Sequence, residues 1–289
     1  MKYGFGSFEN LKELNANNDV INFGDYGMDL RLGRRENVDP KASKYPSQSP
    51  YSGFNGNPIY YEDPTGESGE ASINKQSKTI TVEQHLVFYG SKAETKLSRV
   101  TANEIATQYN NANAKVNIGG VEYSVKFKVT YGTVTEADAT KMASTNTSAK
   151  NNFIRVEENN TRHNRSFNEI GENNGFMNTD DNLGTSTTAP HEIAHGYGLT
   201  HSAGDQRGSG QPDIMAARGT LVDAKYQYDP KAKAGAAGGT INPATRQVTQ
   251  GNVSDMFKRV TFDKNGKADI GKATNRIYES SGNEKKKTP

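Results

Sequence analysis

The chain has 289 residues, enough for two domains of average size, and it contains no cysteine. Lys and Arg total 35 and Asp and Glu total 33, so the formal net charge is only +2. This balance disfavours nucleic acid as a partner, because nucleic-acid-binding proteins carry a strong basic excess. The absence of cysteine excludes disulfides, cysteine nucleophiles and thiolate metal sites, so any metal must be held by His or carboxylate.

Export is expected to proceed without a Sec signal peptide on this chain. The first residues lack a basic start followed by an apolar stretch of about 7–15 residues. The sequence also contains no apolar run near the ~18 residues of a membrane span. Its content of Asn, Gly, Ser and Thr is nevertheless typical of proteins that work outside a cytosol. We therefore expect a protein that is secreted or delivered into a target cell.

Residues 1–66 are dense in Gly, Pro, Tyr and Asp and contain turn-forming sequences every few residues. This composition predicts short strands and turns, with too few apolar residues to close a core alone. Seven short motifs follow one another in this segment: Tyr26-Gly27, Arg31-Leu32-Gly33-Arg34, Val38-Asp39-Pro40, Lys44-Tyr45-Pro46, Ser49-Pro50-Tyr51, Asn57-Pro58-Ile59 and Asp63-Pro64-Thr65-Gly66.

In this order the motifs resemble the end of the Rhs/YD-repeat-associated core of bacterial polymorphic toxins. Two departures are Glu36, where the family usually has Trp, and Glu67, where many members have Leu. The resemblance implies that residues 1–66 are a remnant of the encapsulating core and that a toxin domain follows. It also implies two partners, namely a secretion machinery that carries the Rhs parent and a cognate immunity protein.

Paired aspartates in Asp-Pro contexts take part in self-cleavage in related Rhs proteins. By that resemblance, Asp39 and Asp63 are candidates for self-cleavage here, one carboxyl acting as acid and the other as base. The alternative is that both residues simply initiate turns. We favour this alternative because most of the enclosing core is absent from the chain.

After a polar segment at 67–76, predicted to be a linker, the pattern indicates a second domain over 77–279 and a flexible tail over 280–289. Apolar and β-branched residues predict strands, and helical spacing predicts helices. The resulting order is strand, helix, strand, strand and helix, which indicates a mixed sheet of the α+β class. The predicted strands are Thr79–Tyr89, Tyr123–Thr133 and Asn152–Val156, and the predicted helices are Ser98–Asn111, one at His191 and a short one near Val253–Arg259.

The sequence HEIAHGYGLTH, at residues 191–201, is the strongest indication of chemistry. On a helix, His191 and His195 project from one face and can bind the same metal ion. Glu192 projects to the side, where it can reach a metal-bound water without ligating the metal. Gly198 allows the chain to leave the helix at positive φ, which turns His201 back as a third ligand.

Three neutral nitrogen ligands and one open position are typical of a catalytic zinc site, although such sites accept several first-row metals. The alternative is a histidine-rich helix that matches by coincidence. It is disfavoured because the chain has only five histidines and three of them fall in this motif. The other two, His85 in a predicted strand and His163 in a polar loop, are expected to have structural or surface roles.

The motif resembles the HExxHxxGxxH signature of the metzincin zinc peptidases, in which a Met-containing turn lies below the metal. Met215, in Asp213-Ile214-Met215-Ala216-Ala217, is the candidate for that turn, and ordinary core packing is its alternative role. Ser202 follows the third histidine as in matrixins, but the next Gly/Ser segment is longer and no Pro follows Met215. These differences prevent assignment to a metzincin subfamily. The resemblance implies a metzincin-like fold with zinc as its cofactor.

The metzincin resemblance implies hydrolysis of peptide bonds in a protein substrate. Glu192 would act as general base on a zinc-activated water and pass the proton to the leaving amine. Some metzincins use a Tyr after the Met-turn as an additional oxyanion donor. Tyr226 and Tyr228 are the candidates here, with packing as the favoured alternative.

Three functions stay open from the sequence. The first is an endopeptidase toxin that acts on proteins of a target cell, and the second is a secreted general-purpose protease. The third is a zinc-binding module without turnover, which the intact Glu192 disfavours. The Rhs-like residues 1–66 favour the first function over the second.

Overall fold

The computed structural model describes residues 69–158 and 165–280, together with four short strands among residues 9–35. The chain divides into two compact units, residues 1–64 and 65–289. Asp39, Asp63, His163, most of the Rhs-like motifs and the tail from residue 281 lie outside the described residues.

The described part of the first unit forms a four-stranded antiparallel sheet whose strands follow chain order. This sheet agrees with the short strands expected from the turn-rich sequence. The strands are β1 (Glu9–Asn10), β2 (Val20–Asn22), β3 (Gly27–Asp29) and β4 (Arg34–Arg35).

The second unit is built on a mixed sheet with helices, so the predicted α+β class is confirmed. Its described strands are β5 (Glu70–Asn74), β6 (Thr79–Tyr89), β7 (Lys115–Ile118), β8 (Val121–Thr133), β9 (Asn151–Glu157), β10 (Phe167–Asn168), β11 (Asn174–Asn178) and β12 (Lys267–Asp269). Its described helices are α1 (Thr95–Asn111), α2 (Glu136–Ser144), α3 (Thr188–Gly196) and α4 (Gln250–Phe257). None of the helices in the described part of the chain has the length and apolar character needed to cross a bilayer.

Strand β6 organises this sheet. Along one edge it pairs in parallel with β8 over nearly its whole length. Along its other edge, residues 79–83 pair with the antiparallel strand β5, and residues 85–89 pair with the parallel strand β9. Beyond β9 lie β11, which is parallel to it, and then the antiparallel strand β10. All four residue positions 86–89 of β6 are buried, as a strand covered on both faces requires.

The expected linker at 67–76 is wrong from Glu70 onward, because Glu70–Asn74 is strand β5 of this sheet. Only Ala71 and Ile73 supply apolar side chains, so the segment resembles a polar linker in sequence. Pairing with β6 satisfies its backbone groups, and Ala71 becomes buried in the core.

Helices α1 and α3 pack on one face of the sheet around an aromatic cluster. The rings of Tyr109 and Phe127 lie 4.8 Å apart, and those of Tyr109 and Tyr197 lie 5.6 Å apart at nearly right angles. Tyr109 also donates a hydrogen bond to the carbonyl oxygen of Pro190 (3.0 Å), and Tyr197 donates to Gln84 (3.1 Å). These contacts fix α3, the helix that carries the histidine motif, to α1 and to the sheet.

Candidate metal centre

The structure brings the side chains of His191, His195 and His201 together. Helix α3 presents the first two, and the third returns from the segment that follows the helix. The Nε2 atom of His201 lies 3.2 Å from that of His195 and 3.3 Å from that of His191. His191 and His195 are buried, whereas His201 is exposed, so the cluster is open on the His201 side.

Two of the three separations in this cluster match those of a zinc site, and all three ligand atoms lie within 4.8 Å of one another. Nitrogen ligands of a tetrahedral zinc, at Zn–N distances of about 2.0–2.1 Å, lie about 3.3–3.4 Å from one another. The Nδ1 atoms of His191 and His195 face the carbonyl oxygens of Ile214 (2.5 Å) and Leu199 (2.8 Å). Since a carbonyl only accepts, each Nδ1 carries the hydrogen and each Nε2 keeps its lone pair for a metal.

The protonation state of the imidazoles also suits a metal. Burial lowers the pKa of all three histidines, to about 2 in the case of His191. Metal ligation requires the neutral imidazole, so the site does not have to displace a proton at neutral pH.

Gly198 makes the return of His201 possible. Its φ of 85° lies in the left-handed region, as the sequence predicted. The amides of Gly198 and Leu199 donate to the carbonyl oxygens of His195 (2.8 Å) and Ala194 (3.0 Å), which closes the helix end. Apart from its chain neighbours, no residue has an atom within 4 Å of the position that a Cβ at Gly198 would occupy, so the backbone conformation, not crowding, requires glycine.

Met215 lies in a turn beside the cluster. The Asp213 side chain accepts from the amide of Met215 (2.7 Å), and the amide of Ser202 donates to the Met215 carbonyl oxygen (3.1 Å). The Met215 side chain is buried in the main core. The turn is therefore hydrogen bonded to the segment after His201, and its Ile214 carbonyl oxygen orients the imidazole of His191. Its equivalence to the Met-turn of metzincins stays a prediction.

Glu192 is buried next to the histidines on α3. Burial raises the pKa of Glu192 to about 8, and the positive charge of Arg246 acts in the opposite direction. Asp181, another buried carboxylate, raises the pKa of Glu192 further. Asp181 is itself bound by the amide (2.8 Å) and hydroxyl (2.7 Å) of Ser166 and paired with Arg218.

Sequence reasoning missed the buried cation Arg246. Its side chain hydrogen bonds through Nε to the Thr187 hydroxyl (3.0 Å) and through Nη1 to the Ala216 carbonyl oxygen (3.1 Å). Burial lowers the pKa of Arg246 to about 10, so the guanidinium stays charged at neutral pH. Nothing in the local sequence marks this residue, because its partners lie far away along the chain.

The first two tyrosines after Met215 occupy different environments. Tyr226 is half-buried against a small cluster of Ala216, Val222 and Ile241. Tyr228 is 59% exposed. The sequence favoured packing for both tyrosines, whereas the structure packs Tyr226 and leaves Tyr228 on the surface.

His85 does not belong to the metal cluster. It lies in β6, as predicted, and its Nδ1 atom hydrogen bonds to the Thr130 hydroxyl (2.9 Å). This contact agrees with the structural or surface role expected from the sequence.

No family model matches this chain, and no curated protein matches it. Among solved structures, the fold is similar to that of archaemetzincin from Methanopyrus kandleri, at 9% sequence identity and a TM-score of 0.32. The similarity covers 61% of this chain and 94% of the archaemetzincin chain. A similarity at this level does not assign the chain to a family.

Proposed function

We propose that this chain is a zinc-dependent endopeptidase. The observation that carries the proposal is the convergence of three histidine side chains whose ligand atoms lie within 4.8 Å of one another, with Glu192 buried beside them. The motif at 191–201 places these groups on one helix and the turn after it. An open side at His201 leaves access for a peptide.

Glu192 and two backbone carbonyls have separate roles in the proposed hydrolysis. When bound, zinc would polarise the substrate carbonyl and acidify a water molecule. Burial favours the protonated form of Glu192, whereas a bound zinc cation would favour the ionised form. As a carboxylate, Glu192 takes the proton of the attacking water as general base and returns it to the leaving amine. The carbonyls of Ile214 and Leu199 hold His191 and His195 in the tautomer that ligates metal.

Tyr228 is our proposed oxyanion donor. An additional donor is useful because negative charge develops on the carbonyl oxygen in the transition state. Tyr228 is the exposed one of the two tyrosines, whereas Tyr226 is used in packing.

The direct test is proteolysis by the full chain. Purified protein with one zinc per chain is incubated with a peptide mixture derived from whole-cell protein, and new N-termini are identified by mass spectrometry. We expect cleavages that vanish with a zinc chelator, return with added zinc and are absent for Glu192→Gln. Stoichiometric zinc with no new N-termini would leave the zinc-binding module as the function.

We further propose that this peptidase is the effector of an Rhs-type toxin, with proteins of a target cell as substrates and an immunity protein as inhibitor. Support comes from the Rhs-like motifs between residues 26 and 66. The test is expression of the full chain, wild type and Glu192→Gln, in the cytoplasm and in the periplasm of bacterial cells. We expect growth arrest by the wild type alone, with discrete new N-termini. Broad digestion of casein without toxicity would instead favour a secreted general-purpose protease.

A further inference from the structure

Helix α3 begins at a residue with an unusual backbone. Thr187, its N-cap, has φ 58° and ψ 7°, in the left-handed region. A β-branched residue rarely adopts this conformation, because its side chain crowds the backbone there. The Thr187 hydroxyl also does not cap its own helix. Such a conformation persists only where surrounding contacts hold it in place.

Two other parts of the chain hold Thr187, namely α1 and the segment 243–246. The carboxylate of Glu104, on α1, accepts from the amides of Thr187 (2.8 Å) and Gly184 (3.0 Å). The Thr187 hydroxyl donates to the carbonyl oxygen of Pro243 (2.5 Å) and accepts from Nε of Arg246 (3.0 Å). Thr187 is 2% exposed and Arg246 is 3% exposed, so these hydrogen bonds are shielded from competing water.

The same residues determine the position of His191. The carbonyl oxygen of Thr187 accepts from the backbone amide of His191 (3.1 Å), and the carbonyl oxygen of Ile214 accepts from its imidazole (2.5 Å). Arg246 donates through Nε to the Thr187 hydroxyl and through Nη1 to the carbonyl oxygen of Ala216, which lies two residues after Ile214. One guanidinium therefore connects the two pieces of backbone that support this histidine.

We propose that Arg246 is a positioning residue of the metal site. By joining the start of α3 to the turn at Ile214–Ala216, it sets the orientation of His191 toward the metal. The inference rests on the proposed function, because it assumes that the three histidines bind zinc. The role requires arginine, since its planar fork reaches two acceptors at once, whereas lysine supplies a single point charge.

The test measures metal binding by the resting full-length protein. The variants are Arg246→Lys, which keeps the charge, Thr187→Val, which removes the hydroxyl, and Thr187→Ser, which keeps it. Zinc affinity is measured by competition with a chromogenic chelator, and ligand geometry by the visible spectrum of the cobalt-substituted protein. We expect Arg246→Lys and Thr187→Val to weaken zinc binding by about 10–100-fold and to change the cobalt spectrum. Thr187→Ser should retain both properties of the wild type.

Arg155 provides a matched control. Arg155 is 4% exposed and lies on β9 of the mixed sheet. Its guanidinium carbon lies 5.5 Å from the centre of the Tyr89 ring. Its guanidinium binds Glu157 (2.7 Å) and Glu136 (2.9 Å), away from the metal cluster. Arg155→Lys should lower the thermal midpoint and leave zinc affinity and the cobalt spectrum unchanged.

The outcomes distinguish failure of the proposed function from failure of the inference about Arg246. Absence of zinc binding by the wild type would overturn the proposed function and this inference with it. Zinc binding by the wild type, with unchanged affinity and cobalt spectrum in Arg246→Lys, would overturn this inference alone. An equal loss of affinity in Arg155→Lys would do the same, because it would reveal general destabilisation. If Arg246→Lys does not fold, Thr187→Val and Thr187→Ser decide the question with Arg246 intact.

Discussion

The imidazole of His195 donates to the carbonyl oxygen of Leu199, 2.8 Å away and on the far side of Gly198. The ligand on the helix is thus oriented by the segment that follows the helix. Because Gly198 has a φ of 85°, the position of the Leu199 carbonyl depends on a backbone conformation that other residues rarely adopt. The exit from α3 and the metal site are therefore coupled.

Gly198→Ala should weaken both the fold and zinc binding. Alanine at positive φ costs about 1–2 kcal/mol, and relaxation of the backbone would move the Leu199 carbonyl away from His195. The checks are the thermal midpoint of the metal-free protein and its zinc affinity. Gly120→Ala is the control, because Gly120 also has a φ of 85° with open space around it, in the turn between β7 and β8. It should lose similar stability and keep its zinc affinity; equal zinc affinities for the two variants would contradict the coupling.

The helix with two histidines was predictable because the spacing of His191 and His195 is a local property of the sequence. An i,i+4 spacing describes one helix face whatever the surrounding fold. Strand β6 was predicted with its observed bounds, Thr79–Tyr89, for a similar reason, since β-branched residues begin it and the apolar run 86–89 ends it. The positive φ of Gly198 followed from the need to reverse the chain after the helix.

Other elements depend on tertiary contacts that leave no local trace. Strand β11 has the sequence NGFMN, which contains turn-forming residues, yet all five residues are buried between β9 and β10. Helix α2 buries only Ala139 and Ala143, so its apolar face was too weak to predict it. Arg246 lies 59 residues from its partner Thr187 along the chain, and only the folded chain brings them together.

His195→Ala should remove stoichiometric zinc. Two histidine ligands alone hold the metal far more weakly than three, and the neutral imidazole at position 195 cannot be replaced by a neighbour. Elemental analysis after dialysis gives the zinc content per chain. His85→Ala serves as the control, because His85 contacts Thr130 in the sheet and should not affect the metal. Full zinc occupancy of His195→Ala would refute the ligand assignment.

Tyr228→Phe should lower kcat by about 10²-fold while leaving zinc content unchanged. The expected loss corresponds to removal of one oxyanion donor. Steady-state kinetics on a fluorogenic peptide identified in the cleavage experiment provide the measurement. Tyr226→Phe should retain the wild-type kcat, since the ring of Tyr226 packs against Ala216, Val222 and Ile241 and its hydroxyl has no catalytic role. Equal rates for wild type and Tyr228→Phe would remove Tyr228 from the mechanism.

We expect the full chain to stay intact on long incubation at neutral pH. If Asp39 and Asp63 only initiate turns, the molecular mass should remain 31.5 kDa. Intact-mass spectrometry at successive times is the measurement, with Asp63→Asn as the comparison. A fragment that begins near residue 67 in the wild type and is absent in Asp63→Asn would show instead that the Rhs-like segment cleaves itself.

Glu192→Gln should abolish cleavage and leave the zinc site in place. Gln keeps the size and hydrogen-bonding shape of Glu but cannot accept the proton of the attacking water. Loss of a general base costs about 10²–10⁴-fold in rate. We expect the upper end of this range because delivery of the proton to the leaving amine is lost as well.

Two further measurements on the same preparation distinguish this role from a structural one. Zinc content should stay near one per chain, because His191, His195 and His201 are untouched. The thermal midpoint should not fall, since a neutral amide of the same size replaces a carboxyl group whose charged form burial disfavours. If Glu192 instead stabilised α3 as a structural carboxylate, the substitution would lower the thermal midpoint and leave turnover largely unchanged. Loss of turnover with zinc and stability preserved therefore assigns Glu192 to the chemical step.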